Sequence, residues 1–523
     1  MDTPALDARQ KRNILISMCT ALIAVVASVS GLNVAQQDIA VDLGATQSQV
    51  LWVINAYTLA LAALLMPIGA IGDRFGRKPV LLVGLGLFAG ASAMAALAPS
   101  VAVMILARAL AGVGAAMVMP VTLSVITSSF PAEERSQAIG IWAGFAGAGG
   151  IIGLFTSSFF VDFLSWRWLF IVPIAMLVVS GLVALRSVPN SVEHGEGRFD
   201  TVGSLLSAVA IGGLVFGIHE GPIHGWGSTL TVVGLVAGVV GLIGFVLWEL
   251  RVADPLLDVT AFANRGLASG SLTITSMFAV MFGIFLVLFP FMQTILGYSA
   301  LRSAAGLLPM AATMMTMSSV APRIAARLGS RITMMAGIAI AISGLVALAV
   351  AASPDGGYLA ILPGLMLIGL GMGTTMTPAT EAITATLPAD KQGVASALND
   401  TSREMGGAVG VALLGSIVSS GYTDNVASFA SQLPGELGAV VGADYYAALG
   451  AAEQLAEQNP QQAGSVIAAA QQAWVDGWVS SMWVGVAIIA ASFVYLAVAG
   501  PKRSAEAAVV EADTTDDDVL VGS

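Results

Sequence analysis

Asp400, Arg403 and Glu404 stand close together in a stretch, Val394 to Gly415, that is otherwise apolar or small. If this stretch is a helix beginning near Gly393, Arg403 lies about 15 Å along it at ~1.5 Å per residue, close to the middle of a bilayer about 30 Å thick. A single charge at that depth costs about 2.5–3.5 kcal/mol on insertion scales, so three together point to a bundle interior or a wet pathway. At about 100° per residue, Asp400 is about 60° from Arg403 and about 40° from Glu404 around the helix axis. One acid can neutralise the arginine and leave the other to exchange a proton. The sequence does not say which acid does which, and a static ion-pair network that fixes helix packing has the same composition.

Other residues invite chemistry less strongly. Glu381 follows the polar run Thr374, Thr375, Thr377, Pro378 and Thr380 and belongs either to the inner half of a cavity or to the headgroup zone. Arg108 lies about 10 Å into its own apolar segment, where it could draw a carboxylate, help exchange a proton, or pack against a carbonyl. His219 and Glu220 end another segment and read as structural. An adaptable apolar pocket is available from Met277, Phe278, Met281, Phe282, Phe285, Phe289, Met292 and Gln293 in one segment and Met310, Met314, Met315 and Met317 beside Thr313 and Thr316 in the next. The same side chains serve equally as packing against lipid.

The elements that must hold these residues are membrane helices. The chain has 523 residues, 57% hydrophobic and 10% charged, against about 25% charged in a soluble domain. Fourteen apolar runs can span, at about 14–35, 51–71, 80–99, 101–126, 139–161, 168–187, 201–219, 229–249, 267–290, 303–322, 332–352, 358–382, 394–419 and 478–500. With this count, Arg108 and Arg403 fall inside helices and Arg167 and Arg302 in outer loops. Every other Lys and Arg lies on the side of the N-terminus, which sets both termini in the cytoplasm. Arg-over-Lys usage with abundant Ala and Gly suits a GC-rich bacterial genome, hence a bacterial cytoplasmic (inner or plasma) membrane. The net charge of −11 comes mainly from an outer loop at 421–476, Ala- and Gln-rich with expected helical stretches such as Tyr445 to Asn459, and from a tail at 504–523 that reads as disordered. Cys19 is the single cysteine, so no intrachain disulfide forms.

The chain looks doubled. Gly69-Ala-Ile-Gly-Asp-Arg-Phe-Gly-Arg-Lys78 joins the second and third segments, and Pro322-Arg-Ile-Ala-Ala-Arg-Leu-Gly-Ser-Arg331 joins the tenth and eleventh. The expected fold is all-α and polytopic. It comprises a six-helix bundle at 1–190, two inserted linker helices at 196–250, and a second six-helix bundle at 265–503. Paired repeats around a central site are the architecture of secondary transporters.

The first of these loops resembles the G-x-L-x-D-R-x-G-R-K/R signature of the major facilitator superfamily, and the 14-segment count resembles its drug:proton antiporter branch. Trp52-Val-Ile-Asn-Ala-Tyr57 resembles the family's W-x-x-x-x-Y, and Arg108 heads a stretch like R-x-x-Q-G-x-G, with Ala111 in place of Gln. Ser165-Trp-Arg-Trp168 matches the family's turn after the fifth segment. Gly297-Tyr-Ser299 with Pro309 matches the opening of its second half, and Asn399-Asp400-x-x-Arg403 with Gly406 and Gly407 matches its thirteenth helix. The resemblance implies alternating access, with Gly69, Asp73, Arg74, Gly76, Arg77 and Lys78 as a gating loop. Gly69 suits close helix packing, Gly76 a tight turn, and Asp73 a basic partner or a helix N-terminus. It implies proton coupling through Asp400, Arg403, Glu404 and Glu381. Substrate contacts are expected from Arg108, Asn55, Tyr57, Asn399, Met281, Phe285, Gln293 and Met314, and helix packing from Gly149, Gly153, Gly406 and Gly407.

Two departures stand out. The family often has an acid five positions before N-V-A-L-P, whereas here Ser28 precedes Asn33-Val-Ala-Gln-Gln37. The fifth-segment signature G-x-x-x-G-P-x-x-G-G reads Gly149, Gly153, Leu154, Ser157 and Ser158, without the proline. The expected function is a proton-driven exporter of amphipathic drugs, acting as a monomer on small molecules, protons and lipids without cofactor, metal or nucleic acid. An exporter of a native lipid or metabolite is the alternative within the same fold. A membrane enzyme or sensor is disfavoured because H-E-x-x-H, G-x-S-x-G and the phosphate loop are missing from the sequence.

Overall fold

The computed structural model describes residues 7–45, 47–189, 199–388 and 391–501. The expected acidic tail at 504–523 and the link at 190–198 lie outside the described residues. Fourteen helices among those described are long and apolar enough to cross a membrane. They agree one for one with the runs read from the sequence.

The first half comprises α1 (Ala8–Ser30), α2 (Leu32–Leu43), α3 (Gln47–Phe75), α4 (Arg77–Ala96), α5 (Val101–Ser129), α6 (Ala132–Phe163) and α7 (Trp168–Ser187). The linker pair is α8 (Thr201–His224) and α9 (Thr229–Glu249), and a 3-10 turn (Val259–Ala263) leads on to the second half. There follow α10 (Arg265–Pro290), α11 (Ala300–Gly306), α12 (Leu308–Leu328), α13 (Ser330–Ala351), α14 (Tyr358–Thr384) and α15 (Gln392–Ala430). The chain ends in α16 (Gly435–Ala443), α17 (Tyr445–Ala456) and α18 (Pro460–Ala499).

Local chemistry sets the ends of these helices. Asp7, Ser100, Asp200, Ser228 and Asn459 cap helix starts by accepting a backbone N–H from three residues on. The two related loops turn the same way. Gly76 (φ 104°) precedes α4 and Gly329 (φ 86°) precedes α13, a region that favours glycine. The short loop and its degenerate copy thus each place a positive-φ glycine immediately before a helix.

The halves meet where α15 crosses α3 and α5, and where α12 and α14 pack on α6. Small residues allow this approach: a Cβ on Gly69 would meet the Ala397 Cβ at 2.8 Å, and one on Gly147 the Met314 Sδ at 2.8 Å. The linker helices pack on each other, and α8 also leans on α3 and α15.

Three boundaries differ from expectation. The first span starts at Ala8, breaks at Gly31, and continues as α2, because Asp7 supplies a cap that an apolar-run reading does not see. The ninth span passes Pro290 in a π turn at Phe291–Ile295. The largest difference concerns the expected outer loop at 421–476. Helix α15 runs on to Ala430 and α18 starts at Pro460, so only 431–459 lie between them, with α16 and α17 inside that stretch. Polar, Ala-rich helix on either side carries no breaker until Pro434, so the helices continue past the apolar window. Tyr445 stacks on Trp474 at 4.7 Å, and Tyr422 donates its hydroxyl hydrogen to the Val441 carbonyl at 2.7 Å, which fastens this extension to α15 and α18.

Candidate functional site

The thirteenth span, α15, brings its ionic residues to the contact between the halves. Asp400 is fully buried and Arg403 is 4% exposed, while Glu404 is half-buried. The Arg403 guanidinium lies over the Trp142 ring of α6 at 4.7 Å and over Phe278 of α10 at 5.3 Å. Its Nη1 is 3.9 Å from Asp400 Oδ1, a loose pair. Arg403 Nε and Asp400 Oδ2 are buried and have no hydrogen-bond partner among the described residues. An apolar sandwich thus holds the cation, and the paired acid keeps one oxygen free. Glu404 follows Arg403 on the same helix and lies half-buried next to the pair.

A chain of polar contacts surrounds this centre. Asn399 donates to Asp400 Oδ1 at 3.3 Å and accepts from the Thr380 hydroxyl of α14 at 2.9 Å. Trp142 donates its indole N–H to Thr122 of α5 at 3.1 Å. Thr377 donates to the Ser318 carbonyl of α12 at 3.1 Å. Asn399, given a substrate role from the sequence, therefore sits as a link between Asp400 and α14.

Glu381 lies half-buried at the end of α14, where Ser136 of α6 donates to its Oε1. This bond joins α14 to α6. Asp73 closes the same end. Gly393 N–H reaches both of its oxygens at 2.8 Å, Val394 N–H reaches Oδ2 at 3.1 Å, and Arg77 donates to Oδ1 through Nε at 3.2 Å and Nη2 at 3.0 Å. The carboxylate thereby caps the start of α15. Lys78 donates to the Leu185 carbonyl at 2.9 Å, and Arg74 is exposed.

Arg108 is enclosed within the first half. It donates to the Val53 carbonyl at 3.3 Å, the Ser28 hydroxyl at 3.1 Å and the Ser28 carbonyl at 3.4 Å, and it lies over the Tyr57 ring at 4.2 Å. Tyr57 donates its own hydroxyl hydrogen to the Val25 carbonyl at 3.2 Å. Ser28 is thus an arginine contact here. Asn55 lines a crevice of about 10 Å³ with Trp52, Phe216, His219 and Glu220, away from Asp400. Glu220, read as structural, is buried and pairs with His224 at 2.8 Å, and α8 packs against α3.

Among the apolar pocket residues, Met314 is fully buried against Gly147 of α6. Met281 lines a second cavity of about 10 Å³ with Met277, Leu345 and Met372, all within the second half. Such a space holds about one water. Phe285 and Gln293 are half-buried, Gln293 in the π turn. Gly149 faces Val26, Gly153 faces Ala27, Gly406 lies on the Thr275 backbone, and Gly407 faces the Phe282 ring. The sequence reading missed Trp142 and Ser136. A tryptophan within the Gly- and Ala-rich first half of the fifth segment was a signal for the first, and Ser136 carried none.

A family model described as Major Facilitator Superfamily matches residues 16–411. The multidrug resistance protein Stp of Mycobacterium tuberculosis (strain CDC 1551 / Oshkosh) is 33% identical over 390 residues, covering 74% of this chain and 72% of that protein. The multidrug efflux pump LfrA of Mycolicibacterium smegmatis is 32% identical over 467 residues, 88% of this chain and 90% of its own. The cephamycin export protein CmcT of Amycolatopsis lactamdurans is 34% identical over 423 residues, 80% and 87%. A bacterial homolog of the human lysosomal transporter Spinster, solved inward-facing and unoccupied, superposes with a TM-score of 0.60 at 16% identity over 94% of this chain and 97% of its own, which concerns the fold alone.

Proposed function

The chain belongs to the Major Facilitator Superfamily, and from that membership we propose that it is a proton-driven exporter that extrudes amphipathic small molecules by alternating access. It is a multi-pass transporter of a bacterial plasma membrane, and its relatives are named for multidrug resistance and antibiotic export. The observation that carries the proposal is the buried Asp400–Arg403 pair, with one unpartnered oxygen on the acid and Glu404 beside it, at the seam between the halves. Among charged groups described, this set touches both halves at membrane depth, which is what coupling requires.

In this reading, a proton on Asp400 or Glu404 and a bound substrate compete for the same few oxygens. Arg403 stays charged and is held by Trp142 and Phe278. The Asp73 and Glu381 contacts latch one end, taken as the cytoplasmic one, while the site faces the other way. One charge moved through 100 mV supplies about 2.3 kcal/mol, enough for roughly a 40-fold gradient of a neutral solute at ~1.4 kcal/mol per decade. The single chain is the working unit.

A second reading, export of a native lipid or metabolite, draws on Ser28. With a hydroxyl instead of a carboxylate beside Arg108, the first half offers no acid at that position to hold an organic cation. The test for both is transport in inverted membrane vesicles with an imposed pH gradient. Addition of a lipophilic cation should dissipate the gradient if the first reading holds. If only lipids or neutral metabolites do so, the second replaces it, and accumulation in the opposite direction overturns export altogether.

A further inference from the structure

The linker pair carries two buried carboxyls that the transport reading does not use. Asp200 precedes α8 and Glu249 ends α9, and they are 9% and 4% exposed. Each has one oxygen well supplied with donors. Asp200 Oδ1 accepts Gly203 N–H at 2.8 Å and the Trp248 indole N–H at 2.9 Å, and Glu249 Oε2 accepts Leu257 N–H at 3.3 Å. The other two oxygens, Asp200 Oδ2 and Glu249 Oε1, are buried and meet no N–H or O–H donor among the described residues. Both converge over Gly203, where any Cβ would collide with the two at once. The side chains are within hydrogen-bond reach of each other.

Two ionised carboxylates in such contact repel, and burial removes the water that would screen them. Two acceptor-only oxygens facing each other are satisfied by one hydrogen between them. We infer that Asp200 and Glu249 bind one shared proton across Oδ2 and Oε1, forming a proton-dependent clasp on the linker hairpin.

The surroundings fit a proton better than a metal ion. Among the described residues, Asp200 is the charged group beside Glu249, and the other groups that meet it are the backbone amides of Leu256 and Leu257. Arg251, Asp254 and Asp258 of the following loop point to solvent, and Thr260 holds the Asp258 carboxyl below its ordinary range through its hydroxyl and amide. The elements packed against α8 bring Asp73 and Arg74 on α3 and Asp400, Arg403 and Glu404 on α15, none of which acts on Glu249. The clasp also has a physical route to the gate. It fixes the loop whose Pro255 carbonyl accepts from Lys391 at 2.7 Å, and Lys391 immediately precedes the helix that Asp73 caps.

The test uses the full chain in lipid nanodiscs and is independent of any transport assay. Infrared spectra at neutral pH are expected to show a protonated-carboxyl band that Asp200→Asn and Glu249→Gln each diminish by the same amount. A proton held by the folded state and released by the unfolded one adds stability that is lost as pH rises. The thermal midpoint of the wild type is therefore expected to fall from mildly acidic to mildly alkaline buffer. Glu249→Gln, whose amide gives Asp200 Oδ2 a permanent donor, should show a flatter profile. Should that variant not fold, Asp200→Asn supplies the same two readings from the other side. An unchanged band and slope in the variants overturns the inference. So does stabilisation of the wild type, but not of the variants, by Mg²⁺ or Ca²⁺ alone, which would place a cation there instead.

Discussion

Asp73 accepts the Gly393 amide through both carboxylate oxygens at 2.8 Å, so a residue of the first half caps the helix that carries Asp400 in the second. The latch combines a charge at a helix N-terminus with a hydrogen bond to that charge, the first alone worth about 0.3–1 kcal/mol and up to ~2 when partly buried. Asp73→Asn removes the charge and half of the acceptor capacity. In a Cys19→Ser background, Ser396→Cys sits buried behind this latch. Adding Asp73→Asn should speed its labelling from the N-terminal side by about tenfold, the ratio set by ~1.4 kcal/mol. Equal labelling rates would show that Asp73 does not hold this end shut.

Glycine spacing makes a second prediction. A Cβ on Gly69 runs into the Gly393 carbonyl and the Ala397 methyl, whereas nothing lies within 4 Å of one on Gly86. Gly69→Ala should cost about 1–3 kcal/mol by overpacking, and Gly86→Ala should be neutral or slightly stabilising by helix propensity. Thermal midpoints of the two variants in the same lipid are the check. Similar midpoints would mean that the two halves part at this crossing without strain.

Ser28 offers a third. Its hydroxyl and carbonyl take two Arg108 donors at 3.1 and 3.4 Å inside a closed site. Ser28→Ala leaves Nη1 of a buried guanidinium without an acceptor, a loss of about 1–3 kcal/mol. Ser28→Asp supplies a carboxylate in place of the hydroxyl and should fold better than Ser28→Ala. In the same vesicles it should also favour organic cations over neutral substrates. A preference unchanged from wild type would separate Ser28 from substrate choice.

A fourth concerns the aromatic face beneath Arg403. Trp142→Leu removes a ring 4.7 Å from the guanidinium and the donor to Thr122. A desolvated cation–π contact is worth about 2 kcal/mol. We expect proton-driven flux to fall by roughly 30-fold at ~1.4 kcal/mol per decade, with Trp142→Phe in between. An unaltered Trp142→Leu flux would mean the ring merely fills space.

The sequence carried the spans because hydropathy and the placement of Arg and Lys both report the bilayer, and each was nearly uninterrupted here. It carried the Asp73 loop because a turn that needs Gly76 and a helix crossing that needs Gly69 leave local marks. It did not carry the lengths of α15 and α18, which pass beyond the apolar window on polar helix. Nor did it show that Trp142 and Phe278 hold Arg403, since contacts between helices far apart in the chain leave no local pattern. Asn55 is a related case: its segment was legible, but the crevice it lines with His219 and Glu220 depends on where α8 docks.

The most direct test of the account compares Asp400→Asn and Glu404→Gln with wild type in one vesicle preparation, measuring both pH-gradient-driven flux and substrate counterflow without a gradient. The account predicts that at least one of these variants keeps counterflow and loses gradient-driven flux. If both keep full proton-driven flux, the buried acids of α15 do not couple protons to transport.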